Sequence, residues 1–162
     1  MKKLDNYVQA LSTLSDACGV VQEVHSDIED KMIKSGFLNQ FEKTFELAWK
    51  LMKYMLEAEG VEKAQTGSPR EILCLAYENG YLEDDRCWLS MLKQRNQLSH
   101  DYDGSLVNQA IGQIKDLYIT ALKSFQTFAV QRVQQMQIQE LIYDMQYEKA
   151  QEQGTDIEPD ME

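Results

Sequence analysis

Proline is nearly missing from this chain: 162 residues hold only Pro69 and Pro159. With so few breakers, long helices can run without interruption. No segment alternates apolar and polar residues far enough to predict a strand. Nor are there 18 consecutive apolar residues, so no membrane-spanning helix is expected. The start, "MKKLDNYVQALSTL", lacks the apolar stretch of a signal peptide, and the expectation is a soluble, cytoplasmic protein without a membrane role. Cysteine is scarce as well. Cys18, Cys74 and Cys87 are odd in number and have no CxxC spacing. They read as reduced, buried small hydrophobes rather than as disulfides or metal ligands. There is no P-loop, no GxGxxG, no HExxH and no GxSxG, and the sequence calls for neither a metal nor a cofactor.

Positive charge is the remaining shortage. Sixteen Lys+Arg stand against 27 Asp+Glu, giving −11 and a sequence pI near 4.6. Such a surface does not act as a general binder of polyanions, because neutralising phosphates needs clustered cations. A basic partner protein suits it better. Setting aside the five acids of the last twelve residues still leaves 22 acids against 16 bases.

What is present is a 3.6-residue apolar period over most of the length. A first helix is predicted over Leu4–Val24, with Tyr7, Leu11, Leu14 and Cys18 inward. In "SGFLNQFEKTFELAWKLMKYMLEAEG", Phe37, Phe41, Phe45, Trp49, Met52 and Leu56 form one stripe, read as core. Glu46 and Lys50 fall on its polar side in the favourable i, i+4 order. Next comes "QTGSPREILCLAYENG", with its punctuation written in: Ser68 as N-cap, Pro69 at the first helical position, Glu71 as capping-box partner, Gly80 as terminator. "EDDRCWLSMLKQRNQLSH" starts with acids and turns Trp88, Leu89, Leu92 and Leu98 inward. After a turn at Asp103–Gly104, a last long helix carries Val107, Ile111, Ile114, Leu117, Leu122 and Phe125. The fold class is all-α, an up-and-down bundle of about five helices with a long C-terminal extension. Three parts are expected: a bundle over 1–128, a glutamine-rich amphipathic extension over 129–153, and an acidic disordered tail over 154–162. The extension either continues the last helix or forms a separate one.

The stretch "KQRNQLSHDYD", Lys93–Asp103, concentrates Arg95, Asn96, His100 and Tyr102. Five positions turn a helix by roughly 140°, so a regular helix cannot aim Arg95 and His100 at one point. They converge if the helix opens near Ser99, or if two copies meet across a dimer axis. A purely structural reading also fits, since a histidine followed by Asp and Gly is ordinary C-terminal punctuation. His25 is assigned no role. Asp101 and Asp103 do not read as a metal-binding pair, because no strand surrounds them and no Gly-Ser loop closely precedes them, the nearest upstream being Gly67–Ser68 at the start of a helix.

"RNQLSHDY" has the R-x4-H-x-Y form that marks the HEPN superfamily. With "QFEKTFELAWKLMKYMLEAEG", "SPREILCLAYENG" and "WLSMLKQRNQLSH" in that order, the chain resembles one branch of it over roughly residues 1–128. That branch comprises the substrate-binding subunits of minimal nucleotidyltransferases, including HEPN toxins of two-gene toxin–antitoxin pairs. The resemblance implies a homodimer with both motifs in one cleft and, in active members, metal-independent RNA cleavage. Carried over by motif match, His100 handles the proton of the ribose 2′-hydroxyl, Arg95 stabilises charge on the scissile phosphate, and Asn96 helps hold either group. Tyr102 matches the tyrosine that the partner nucleotidyltransferase modifies with AMP. Given the acidic surface, RNA or a nucleotide would be held by local cations such as Arg70 and Lys93 beside Arg95. Three functions remain in view: an endoribonuclease toxin neutralised by its cognate transferase, a non-catalytic substrate- or nucleotide-binding subunit of that transferase, and a structural helical interaction module.

Overall fold

The computed structural model describes residues 1–21, 27–98 and 104–154. Among them every regular element is helical: α1 (Lys2–Val20), α2 (Asp27–Ala58), a 3₁₀ turn (Glu62–Thr66), α3 (Pro69–Glu78), α4 (Asp85–Leu98), α5 (Gly104–Gln113), a π turn (Ile114–Tyr118) and α6 (Ile119–Glu152). The chain divides into two compact units, Met1–Phe128 and Ala129–Glu162. The expected tail falls almost wholly on residues outside the described set; only Gly154, in a turn, lies within it.

The first unit is organised around α2, whose apolar stripe is long enough to serve several neighbours. Phe37, Phe41, Phe45, Met52 and Leu56 are buried as their spacing predicts. Trp49, expected in the same core, is half-buried instead, because its indole N–H needs a polar partner. The aromatic rings interlock across helices. Phe41 stacks on Tyr118 at 5.9 Å, Phe45 meets Trp88 at 6.2 Å, and Trp88 meets Phe125 edge-on at 5.8 Å. Burial of such rings is the chief stabilising term of a bundle this size. Polar ties fix α1 on its neighbours. The Tyr7 hydroxyl donates to the Leu122 carbonyl at 2.6 Å, and the Gln40 amide donates to the Ala10 carbonyl at 3.1 Å.

α3 follows its sequence punctuation closely. Ser68 Oγ accepts from the Glu71 N–H at 3.3 Å, Pro69 opens the helix, and Gly80 closes it at φ +80. The positive φ lets the Tyr81 N–H reach back to the Ala76 carbonyl at 2.8 Å, satisfying an end carbonyl that would otherwise lack a partner. Further expectations are corrected, among them Leu89 and Val107, which are half-buried rather than buried. The three cysteines are half-buried rather than buried. Leu117, expected inward, is exposed, and its neighbour Tyr118 takes the inward position on the π turn.

The second unit is described from Ala129 to Gly154 and consists of the C-terminal part of α6, which ends at Glu152. No helix among the described residues is long and apolar enough to cross a membrane.

Candidate functional site

Arg95 lies in the last turn of α4, where a cation is favoured by the carbonyl end of the helix. Its side chain crosses to α2, and Nη2 donates to Glu46 Oε2 at 2.8 Å. Both side chains are about 30% exposed (30% and 29%), so the pair is neither dry nor freely solvated. The same Glu46 oxygen accepts from Trp49 Nε1 at 3.0 Å, and the other lies 3.5 Å from Lys50 Nζ. One carboxylate thus gathers an indole, an ammonium and a guanidinium. Holding both the indole and the guanidinium on Oε2 fixes where the Arg95 fork sits. One turn earlier on α2, Glu42 also feels the guanidinium. Burial pushes its carboxyl above the usual value, and the attraction of Arg95 offsets part of that rise.

Asn96 is exposed beside Arg95, with Oδ1 at 3.5 Å from Arg95 Nη1, at the outer limit of a hydrogen bond. Lys93 belongs elsewhere. Two residues along a helix rotate the side chain by about 200°, so Lys93 and Arg95 point to opposite sides of α4. Lys93 lines a cleft of about 290 Å³ between α4 and α5, together with Gln94, Gln97, Gln109 and Gln113. At its inner end Ser90 Oγ and Tyr118 Oη are 2.7 Å apart, and Tyr118 donates to Gln113 Oε1 at 3.2 Å. Burial raises the Tyr118 hydroxyl above its usual value, and the hydrogen bond with Ser90 lowers it in part. Arg70 is exposed on the first turn of α3. His100 and Tyr102 lie outside the described residues, so the structure brings together only the Arg95–Asn96 half of the motif.

Glu46 is the participant that sequence reading missed. It was legible only as an i, i+4 partner of Lys50, because its contact with Arg95 spans 49 positions. The available hint was that Glu46 stands beside Trp49 near the middle of the apolar stripe, a place where a half-buried carboxylate needs a second cation.

The comparisons return the same helical fold. HI0074 of Haemophilus influenzae, a solved structure described as having the fold of a substrate binding domain of a nucleotidyltransferase, superposes with a TM-score of 0.70 at 22% identity. It covers 78% of this chain and 98% of its own. A solved protein of Thermus thermophilus matches at a TM-score of 0.55 and 25% identity, over 80% of this chain and 97% of that one. Residues 2–131 match the model of the family described as nucleotidyltransferase substrate binding protein like, and the chain belongs to that family. A relative from H. influenzae named "Probable ribonuclease HepT" is 30% identical over 96 residues, 58% of this chain and 65% of that relative's length.

Proposed function

We propose that the chain is a HEPN-type endoribonuclease that cleaves RNA without a metal and is held silent by a cognate minimal nucleotidyltransferase. In this reading the site is composite, with the motifs of two chains facing one cleft of a homodimer. His100 takes the proton of a ribose 2′-hydroxyl, whose oxygen attacks the adjacent phosphorus. The 5′-oxygen leaves and is reprotonated, giving a 2′,3′-cyclic phosphate and a 5′-hydroxyl end. Arg95 meets the charge that develops on the phosphoryl oxygens, since a guanidinium remains charged and presents donors in a rigid fork. Asn96 steadies the pair. Transfer of AMP to Tyr102 would place a phosphate and a base where the substrate backbone must lie, closing the cleft by bulk and by charge.

The observation that carries this reading is the anchoring of Arg95 by Glu46 within a motif of R-x4-H-x-Y spacing. A catalytic cation works best when its orientation is set before substrate arrives, and a carboxylate at 2.8 Å from a half-exposed guanidinium does that. The similarity to a relative named as a ribonuclease supports the same direction.

A second reading draws on the same joint. Glu42 and Glu46 flank Arg95 in a chain of net charge −11, a setting that repels an extended polyanion. It tolerates a compact nucleotide or a basic protein surface better. On this reading the chain is a non-catalytic substrate-binding subunit of the transferase, a direction the family's description as nucleotidyltransferase substrate binding protein like supports.

Expression of the wild type, Arg95→Ala and His100→Ala in a bacterial host, without the transferase, separates the two. The nuclease reading expects growth arrest and fragmented RNA from the wild type alone. Harmless expression of all three with intact RNA overturns it and leaves the binding subunit, for which stable capture of a small transferase is the next observation required. Should the two substitutions change only the denaturation midpoint, the motif is structural.

A further inference from the structure

From Gln137 to Lys149 every residue of α6 is exposed. A helix with no buried face lacks the packing that normally holds a helix together in a protein. Yet this stretch is not uniformly polar. Ile138 is 55% exposed, Leu141 63%, Ile142 48% and Met145 58%. At about 100° per residue these four side chains fall within an arc of about 100°, a seam rather than a scatter. Glu140 and Asp144 lie on the opposite side.

The seam is symmetric along the chain. Its spacings read three, one, three from either end, about a midpoint between Leu141 and Ile142. An antiparallel second copy with its two-fold axis at that midpoint sets Ile138 opposite Met145 of the second copy, and Leu141 opposite Ile142. The charges obey the same register. On the seam's own side of the helix, Glu148 then faces Gln135, Lys149 faces Gln134 and Glu152 faces Gln131. Each charge on that side meets a neutral polar side chain. A parallel, in-register pair would instead bring Glu148, Lys149 and Glu152 alongside their own copies, and like charges at such positions oppose pairing.

We propose that this C-terminal part of α6 is a homotypic interface, pairing antiparallel with the same segment of a second copy of the chain. Ile138 packs on Met145 and Leu141 on Ile142 across the two-fold axis. The glutamine-rich flanks have a physical purpose here, since they carry no net charge to repel the second copy and can hydrogen-bond along the rim. The seam lies beyond residue 131, past the end of the family match, and its argument is independent of the reading of the Arg95 motif. Two such interfaces on one chain, this one and a cleft between motifs, would let copies be joined at separate places.

The test uses the full-length chain. A tagged Ile138→Cys variant and an untagged Met145→Cys variant are mixed, oxidised mildly and run on a non-reducing gel, with the wild type giving the background from Cys18, Cys74 and Cys87. The expected result is a strong mixed band, with each variant alone near background. Adding Leu141→Asp and Ile142→Asp to both chains should remove that band and weaken association at least tenfold in sedimentation, with any fall in helicity by circular dichroism no larger than this one segment accounts for. An Ile138→Cys chain that cross-links to itself as well as to its mate would mean a parallel pair and overturn the proposal. So would a mixed band no stronger than background, or sedimentation unaltered by the two aspartates.

Discussion

The joint between Arg95 and Glu46 makes a prediction whose size can be worked from the structure. Hydrogen bonds to charged groups contribute about 1.5–3 kcal/mol when well enclosed, whereas fully exposed ion pairs contribute about 0.2–1 kcal/mol. This pair is short, 2.8 Å, and each side chain is near 30% exposed, so it belongs between those limits. A coupling of about 1–1.5 kcal/mol is expected. Lys50, at 3.5 Å and on the solvent side, adds little to it. The perturbation is a double-mutant cycle of Glu46→Gln and Arg95→Gln, followed by urea denaturation at neutral pH. Glutamine at position 46 keeps an acceptor for the Trp49 indole, so the cycle isolates the guanidinium contact. The coupling should fall by less than half in high salt, because the pair is partly shielded from ions. A coupling below about 0.3 kcal/mol would refute the claim that Glu46 anchors Arg95. In the nuclease reading Glu46→Gln also slows cleavage while the chain remains folded, which identifies Glu46 as a positioning residue.

Three further outcomes follow from the same structure. Tyr7→Phe removes the buried hydroxyl that donates to Leu122 at 2.6 Å and should cost about 1–1.5 kcal/mol by denaturation. Ser68→Ala removes the side-chain cap of α3 and should cost about 1 kcal/mol, whereas Ser68→Asp should retain most of it. Glu42 gives a pH dependence: its folded carboxyl is held above the ordinary value of 4.5, so the folded state binds the proton more tightly than the unfolded one. Stability is therefore lost as pH rises from that ordinary value through the raised one. Glu42→Gln should be more stable than the wild type at neutral pH and equal to it well below pH 4.5, and a difference independent of pH would contradict the assignment.

The helical class and α3 were legible because both rest on local rules. Ser68, Pro69 and Gly80 act on their own backbone, and the Phe37–Leu56 stripe announces its face. The start of α2 was less so. Asp27–Lys34 carries Ile28 and Met32 outward and buries no stripe there, so periodicity had nothing to detect before Ser35. Tyr118 taking the place of Leu117 reflects the π turn and a hydroxyl that finds Ser90 on another helix, a tertiary preference that overrides local spacing. In the candidate site, the motif residues were visible as a string, and the placement of Arg95 and Asn96 together at one helix end could be anticipated. The role of Glu46 could not, because nothing local relates α2 to the end of α4. The extension beyond Gln131 was left open between one helix and two, and α6 runs through to Glu152.

The central claim is that Arg95 and His100 form a site for metal-independent cleavage at the ribose 2′-hydroxyl. Its most direct test is to incubate purified wild type and His100→Ala with RNA in the presence of a chelator and to determine the ends of any fragments. The account predicts fragments from the wild type alone, ending in 2′,3′-cyclic phosphate and beginning with 5′-hydroxyl. Intact RNA from well-folded, transferase-free wild type, or equal cleavage by His100→Ala, would contradict it.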